Sequence, residues 1–245
     1  MTVTAFEDKR LQKTLRSFEN LDLKIEHVLV FPERDTVAIK IIEDYKKESK
    51  HKVISVNDSG RGIYSAMNLG IKVSNGIYLL FLNAGDEISN QNQLSRNIQE
   101  LISKPTVWAI LGCTLPWNEE YSSYNGMDRD FLLQRKNSYV SHQSVVVSKK
   151  YMQDVQGFDT RFKIAADTYM TMQLSNFSQP LLLKGIAIRV EEGNTVTSSN
   201  RMSRFETFIA ILKQKNSPRK LIAISNFMLK EFEFLSSKIP RICFS

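Results

Sequence analysis

The sequence predicts an α/β fold, a mostly parallel sheet flanked by helices, with a C-terminal helical extension. Three observations predict it. Strand-like and helix-like segments alternate from the N-terminus. One apolar run is continuous, which is typical of a strand buried on both faces, and polar residues directly follow the predicted strand ends. A chain of 245 residues that is 42% hydrophobic suits a globular core, which excludes the disordered and collagen-like classes.

The first half of the chain alternates strand and helix. Residues 3–6 include the β-branched Val3 and Thr4, and Leu11, Leu15 and Phe18 then recur at helical spacing before the mostly apolar run 25–31. Further strands are predicted over 53–56 and 78–82, and further helices over 37–45 and 63–73. Doubly wound sheets of this kind bind ligands beyond the carboxyl ends of their strands.

The second half is less regular. A strand is predicted over 108–113, and the polar, aromatic stretch 117–126 is where an acceptor could be recognised. A further strand is predicted over 139–147, followed by a turn at 157–159 and a helix that opens at 164–167 and runs through Leu174.

Composition limits the other classes of protein. No apolar run approaches the roughly 20 residues that cross a bilayer. The charged residues 7–10 stand where the apolar part of a signal peptide would lie, which predicts a cytoplasmic protein. Cys113 and Cys243 stand far apart without a partner motif, so neither a disulfide framework nor a zinc site is indicated.

The net charge of +7 lies mainly in residues 201–245, which carry nine Lys or Arg against three Glu. We interpret residues 1–200 as a catalytic domain and 201–245 as a basic, amphipathic helical tail. Its apolar and basic positions suit a helix on an anionic membrane surface, or equally a helix packed on the domain. A nucleic-acid partner is not expected, because the tail contains no recognition motif and few aromatic residues arranged for base stacking.

Three polar features could carry chemistry, and each has a structural alternative. The run 83–87, Asn-Ala-Gly-Asp-Glu, suits a divalent cation on phosphate oxygens, but these are also turn-forming residues. His142 begins a predicted strand, where a lone histidine is more often structural. Asp167 could stabilise its helix through the helix dipole, or face the crevice as a base.

Four segments of the chain, in order, resemble the family two glycosyltransferases, the inverting enzymes with the A-type nucleotide-sugar fold, of the type found in bacterial polysaccharide and lipopolysaccharide biosynthesis. They are Asp58 to Ile71, Gly76 to Asp86, Ser141 to Ser144, and Gly157 to Asp167. The resemblance covers most of residues 2–190. The chain departs from the family at the end of its second strand, where residues 31–36 replace an acidic residue followed by Gly and Ser.

The resemblance implies a role for each of several residues. Asp86 would bind Mn²⁺ or Mg²⁺, and Asn83 would help to position the ribose or a phosphate. Asp167 would be the general base that deprotonates the acceptor hydroxyl. The remaining predicted nucleotide-sugar contacts are Thr4, Phe6, Glu33, Asp58, Asn68 and His142, with Asp35 an alternative to Glu33.

The function implied is transfer of a hexosyl or N-acetylhexosaminyl group from a nucleotide sugar to a saccharide or lipid-linked saccharide. The transfer would be a metal-assisted single displacement, carried out in the cytoplasm or at the inner face of the membrane. The alternative is a degenerate relative that binds the nucleotide sugar without turnover.

Overall fold

The computed structural model describes residues 1–5, 8–114, 140–191, 201–214 and 227. The strands are β1 (Thr2–Val3), β2 (Glu26–Pro32), β3 (Lys52–Asp58), β4 (Tyr78–Leu80), β5 (Leu82–Asn83), β6 (Glu87–Ile88), β7 (Trp108–Thr114), β8 (Val145–Ser148) and β9 (Leu181–Arg189). The helices are α1 (Leu11–Arg16), α2 (Thr36–Glu48), α3 (Ile63–Val73), α4 (Gln91–Ser103), α5 (Lys149–Asp154), α6 (Ala166–Phe177) and α7 (Arg201–Lys213). This mixed architecture confirms the predicted α/β class.

The N-terminal half forms a parallel sheet with strand order β3-β2-β1-β5. Val3 pairs with Val30 of β2 and with Asn83 of β5, and Pro32 pairs with Asp58 of β3. The carboxyl ends of these neighbouring strands therefore meet at one edge, where the sequence places its polar residues.

A second, mixed sheet has the order β4-β8-β7-β9-β6. Here β8 runs antiparallel to β4 and β7, whereas β7 and β9 are parallel. The apolar run 78–82, predicted as one strand, is divided between the two sheets, because Tyr78–Leu80 pairs with β8 and Leu82–Asn83 pairs with β1. The chain thus crosses between the sheets at Phe81, whose side chain is buried.

Helices cover both faces of the parallel sheet. Val28 and Val30 of β2 belong to the core cluster that contains Tyr64 and Met67 of α3. The alternate residues of β2, Leu29 and Phe31, pack in a separate cluster with Leu11 of α1 and Ile42 of α2. A strand sends successive side chains to opposite faces, so β2 is apolar from Val28 to Phe31 because both of its faces are buried there.

The predicted strand over 139–147 begins later than expected. His142–Ser144 forms a 3-10 turn, and the strand proper starts at Val145. The turn puts the side chains of His142 and Gln143 into the interior beside the end of β5, instead of alternating them across a sheet.

Candidate active site

Three of the predicted donor contacts lie at the carboxyl edge of the parallel sheet. Thr4 follows β1, with its backbone N–H 3.1 Å from the carbonyl oxygen of Val30. Glu33 follows β2 and donates its N–H to the carbonyl of Asp58, the last residue of β3, at 3.0 Å. Thr4, Glu33 and Asp58 are all at least partly exposed. Phe6, the fourth residue predicted for this edge, lies outside the described residues.

The predicted alternative to Glu33, Asp35, has a different role. It is completely buried and is the N-cap of α2, where its Oδ1 accepts the backbone N–H of Ala38 at 2.9 Å. A carboxylate that satisfies the first turn of a helix in this way is structural, so of Glu33 and Asp35, which both follow β2, Glu33 is the exposed one.

A tight turn connects β5 to β6, and Asn83 and Asp86 close it. The N–H of Asn83 donates to Oδ2 of Asp86 at 2.8 Å, and the N–H of Asp86 donates to the carbonyl of Asn83 at 3.0 Å. Gly85 has a φ of 106°, a conformation that glycine adopts without strain. Its N–H donates to Oγ1 of Thr14, which fixes the turn on α1.

Asp86 is buried, with 3% of its surface exposed. Besides Asn83, its carboxylate accepts Nε2 of Gln143 at 3.1 Å and the backbone N–H of Glu191 at 3.1 Å. Burial raises its pKa above the ordinary aspartate value, and the nearby His142 and these hydrogen bonds offset part of that rise. Two of these three hydrogen bonds go to Oδ2, and within the described ranges Oδ1 accepts just the N–H of Glu191.

His142 connects this turn to Asp167. Its Nε2 lies 3.3 Å from Nδ2 of Asn83, and its Nδ1 lies 3.1 Å from Oδ2 of Asp167. The Oδ1 atom of Asn83 is buried and has no hydrogen-bond partner among the described residues. The predicted donor-side and acceptor-side residues therefore form one hydrogen-bonded group.

Asp167 lies in the first turn of α6 and is 8% exposed. Its Oδ1 accepts the Tyr64 hydroxyl at 3.0 Å and the N–H of Thr168 at 2.7 Å. Burial alone raises its pKa, but the hydrogen bond and charge of His142, with these two donors, hold the pKa below the ordinary aspartate value. These interactions favour the carboxylate form of Asp167 although the side chain is buried.

Asn68, predicted as a base or ribose contact, binds the backbone of Phe158. Its Nδ2 donates to the carbonyl of Phe158 at 2.8 Å, and its Oδ1 accepts the N–H of Phe158 at 2.8 Å. These two bonds fasten the turn at 157–158 to α3, and the contact of Asn68 with the base or ribose stays a prediction.

Sequence reasoning missed two members of the group, Tyr64 and Gln143. Both lie within the motif segments, but their residue types do not indicate their partners. The partners are also distant in the sequence, since Asp167 lies 103 residues from Tyr64 and Asp86 lies 57 residues from Gln143. The sequence signals that could have found them are the place of Tyr64 at the start of α3 and the place of Gln143 next to His142.

Curated relatives are found in mycobacteria. The chain is 24% identical over 132 residues to the PGL/p-HBAD biosynthesis glycosyltransferases of Mycobacterium bovis and Mycobacterium tuberculosis. The match includes 54% of this chain and 50% of each relative, so the chain matches about half the length of these relatives.

Solved structures share the fold. S. aureus TarS 1-349 in complex with UDP-GlcNAc superposes with a TM-score of 0.70 at 17% identity, over 98% of this chain and 75% of TarS 1-349. The mannosyltransferase PcManGT from Pyrobaculum calidifontis, in complex with GDP-Man and Mn²⁺, gives 0.66 at 14% identity, over 93% of this chain and 69% of that one. These neighbours establish the A-type architecture predicted from the sequence.

The family model described as glycosyl transferase family 2 matches residues 2–156. These residues include the carboxyl edge of the parallel sheet, the turn after β5 and the 3-10 turn that carries His142. Because that match extends over well more than half of the 245 residues, this chain belongs to glycosyl transferase family 2.

Proposed function

We propose that this protein transfers a sugar from a nucleotide-sugar donor to a saccharide or lipid-linked saccharide acceptor. The observation that carries the proposal is the hydrogen-bonded group Asn83–His142–Asp167, which joins the end of a parallel strand to a buried carboxylate. The names of the mycobacterial relatives, and the donors in the TarS and PcManGT complexes, support the same class of reaction.

Asp167 is the proposed general base. The acceptor hydroxyl attacks the anomeric carbon while its proton passes to the carboxylate, and the bond from that carbon to the leaving phosphate oxygen breaks. The nucleoside diphosphate carries away the bonding electrons. A single displacement of this kind inverts the anomeric configuration, and the lowered pKa of Asp167 keeps it in the unprotonated form that the step requires.

The nucleotide part of the donor is proposed to lie across the carboxyl edge of the parallel sheet. Thr4, Glu33 and Asp58 end three neighbouring strands there, the position at which α/β sheets bind ligands. Glu33 and Asp58 provide carboxylates that suit ribose hydroxyls, and Asn83 ends the next strand, nearer His142.

The fold family implies Mn²⁺ or Mg²⁺, and the residues at the turn after β5 fit such an ion in part. Asn83 Oδ1 is a buried acceptor with no partner among the described residues, and Asp86 Oδ1 accepts a single hydrogen bond. No group of three His, Cys, Asp or Glu suited to a metal occurs in the described ranges. Asp86 and Asn83 would therefore hold the ion together with donor phosphates, the usual arrangement for Mg²⁺. When bound, the ion neutralises charge that develops on the leaving diphosphate.

The acceptor class and the location of the protein are proposed from the basic, amphipathic tail. Among the described residues, no helix is long and apolar enough to span a bilayer. We propose residues 1–200 as the catalytic domain and 201–245 as the basic tail, whose helix α7 packs on that domain through Ala210. Contact of residues 203–245 with an anionic membrane would use the surface of the tail that does not pack on the domain. Lipid-linked saccharides and polysaccharide biosynthesis would suit an enzyme at such a surface.

A thermal-shift panel of nucleotide sugars, with and without Mn²⁺, tests the donor site directly. We expect one donor to raise the Tm of the wild type in a metal-dependent way, and the same donor to be consumed when acceptor saccharides are added. No shift with any donor would contradict the proposal.

The alternative is a relative that binds the donor without turnover. The burial of Asp86 and its three hydrogen bonds favour it, because a carboxylate engaged in this way is less available to an ion. A donor-dependent shift without hydrolysis or transfer, across a panel of acceptors, would select this alternative.

A further inference from the structure

Helix α7 holds the segment that leads into the candidate base. The Glu206 side chain is 8% exposed; its Oε1 accepts the N–H of Lys163 at 2.9 Å, and its Oε2 accepts the N–H groups of Ile164 and Ala165 at 2.8 and 3.0 Å. Hydrogen bonds to an ionised carboxylate are roughly twice as strong as neutral ones. One side chain of α7 thus fixes three consecutive backbone groups.

Those three residues directly precede α6, the helix that carries Asp167. Its N-cap, Ala165, makes no side-chain capping bond. Glu206 therefore supplies, from a different helix, the negative charge that a helix N-terminus favours. The backbone that leads into Asp167 depends on α7 for this interaction.

The same helix also holds the start of the segment. Nζ of Lys213 lies 3.1 Å from Oδ2 of Asp159 and 4.7 Å from the centre of the Phe162 ring. Between Glu206 and Lys213 on α7, Ala210 is completely buried and Ile209 packs against the core that contains Met170 of α6. Spacings of three and four residues put Glu206, Ala210 and Lys213 on one face of the helix.

The held segment also contacts the candidate base through Tyr64. The single hydrogen of the Tyr64 hydroxyl is shared between the carbonyl of Ile164 and Oδ1 of Asp167, which lies 3.0 Å from the hydroxyl oxygen. A displacement of Ile164 would move both this hydroxyl and the first turn of α6. Glu206 therefore acts on Asp167 by two routes, one through the backbone and one through Tyr64.

We propose that Glu206 is a positioning residue for Asp167, and that α7 is part of the catalytic unit although it lies outside the residues 2–156 that the family model matches. The inference rests on the proposed function, because it assigns Asp167 the role of base. A misplacement of about 1 Å in a reacting group can cost about 100-fold in rate, which sets the scale of the expected effect.

The test compares Glu206→Gln with the wild type and with the control Glu100→Gln, which removes an exposed carboxylate on α4. We expect kcat to fall about 100-fold in Glu206→Gln while the donor KM changes less than about twofold, because Glu206 bonds to residues 163–165 whereas Thr4, Glu33 and Asp58 lie at the carboxyl edge of the parallel sheet. Hydrogen exchange of the amides 163–165 should accelerate about 10-fold or more in the same variant, and should not change in Glu100→Gln.

A lower Tm with an unchanged kcat per folded molecule would overturn the positioning role and leave only a structural one. Glu206→Asp keeps the charge but withdraws it by one methylene, so an unchanged kcat there would overturn the role even if Glu206→Gln did not fold. Absence of transfer by the wild type with every donor would instead refute the proposed function, so the two failures are distinguishable.

Discussion

The Nδ1 atom of His142 lies 3.1 Å from Oδ2 of Asp167, and the opposite ring nitrogen lies 3.3 Å from Nδ2 of Asn83. Asp167 accepts hydrogen bonds, so the ring nitrogen that faces it, Nδ1, carries a hydrogen. The ring is 8% exposed, which leaves it little freedom to turn. The position of the candidate base is thereby tied to the end of β5.

Asp167→Asn should abolish transfer while donor binding persists. The amide cannot accept the acceptor proton, so we expect kcat to fall about 10²- to 10⁴-fold, the usual contribution of a general base. The Tm shift caused by the donor should stay near the wild-type value. Asp154→Asn, at the exposed end of α5, is the matched control. Near wild-type turnover in Asp167→Asn would show that another group is the base.

Tyr64→Phe should shift the pH profile. The hydroxyl is one of the donors that lower the pKa of Asp167, so its removal raises that pKa. A base acts unprotonated, and kcat is lost as the pH falls through its pKa; the variant should therefore lose activity at a higher pH. Loss of the hydrogen bond should cost about 1 kcal/mol of unfolding free energy.

Tyr45→Phe is the control for that experiment, because its buried hydroxyl pairs with His27, which belongs to the parallel sheet and not to the site. It should lower stability to a similar extent without moving the profile. An identical kcat profile in Tyr64→Phe and the wild type would contradict the assigned role of Tyr64.

Asp86→Asn should remove the metal dependence of donor binding. The neutral amide is a weaker ligand for a hard cation, and its NH₂ group faces N–H donors that the carboxylate accepted, so we also expect a loss of about 1–3 kcal/mol in stability. The measurement is the Tm at increasing Mn²⁺ with a fixed donor concentration. Asp44→Asn, on the exposed face of α2, controls for charge. A Mn²⁺-dependent shift as large as in the wild type would exclude Asp86 as a ligand.

Local pattern predicted the order of the elements and the edge at which the site lies. β2 was recognisable because burial on both faces requires an unbroken apolar run, and α3 matches its predicted range, Ile63–Val73. The end of β5 was recognisable because Asn, Gly and Asp close a tight turn. The assignment of Asp86 and Asp167 to catalysis stays a prediction.

Hydrogen bonds between residues far apart in the sequence could not be predicted from local patterns. Asn68 reads like any polar residue of a helix, and its partner Phe158 lies 90 residues later. The capping role of Asp35 was visible in principle, because Asp before a helical run is a common N-cap. Glu206 is the clearest case, since its three partners are 41 to 43 residues away and consist only of backbone.

Asp159→Asn should reduce the loss of stability in acid. The Arg161 side chain, followed by Lys213, holds the pKa of Asp159 well below its usual range. A carboxyl whose pKa is lowered on folding stabilises the protein above its unfolded pKa of about 3.9 and loses that contribution as the pH falls through the lower folded value. The difference in Tm between wild type and variant should therefore shrink as the pH is lowered from about 5 to about 2.

Asp22→Asn removes a carboxylate of the exposed surface and controls for net charge in the same titration. Because Lys213 is on α7, the variant Lys213→Gln should show part of the same change, which links acid sensitivity to the attachment of that helix. If the Tm difference for Asp159→Asn were the same at every pH, the ion pairs of Asp159 would not contribute to stability in acid. The attachment of α7 to residues 159–162 would then rest on the packing of Lys213 against Phe162.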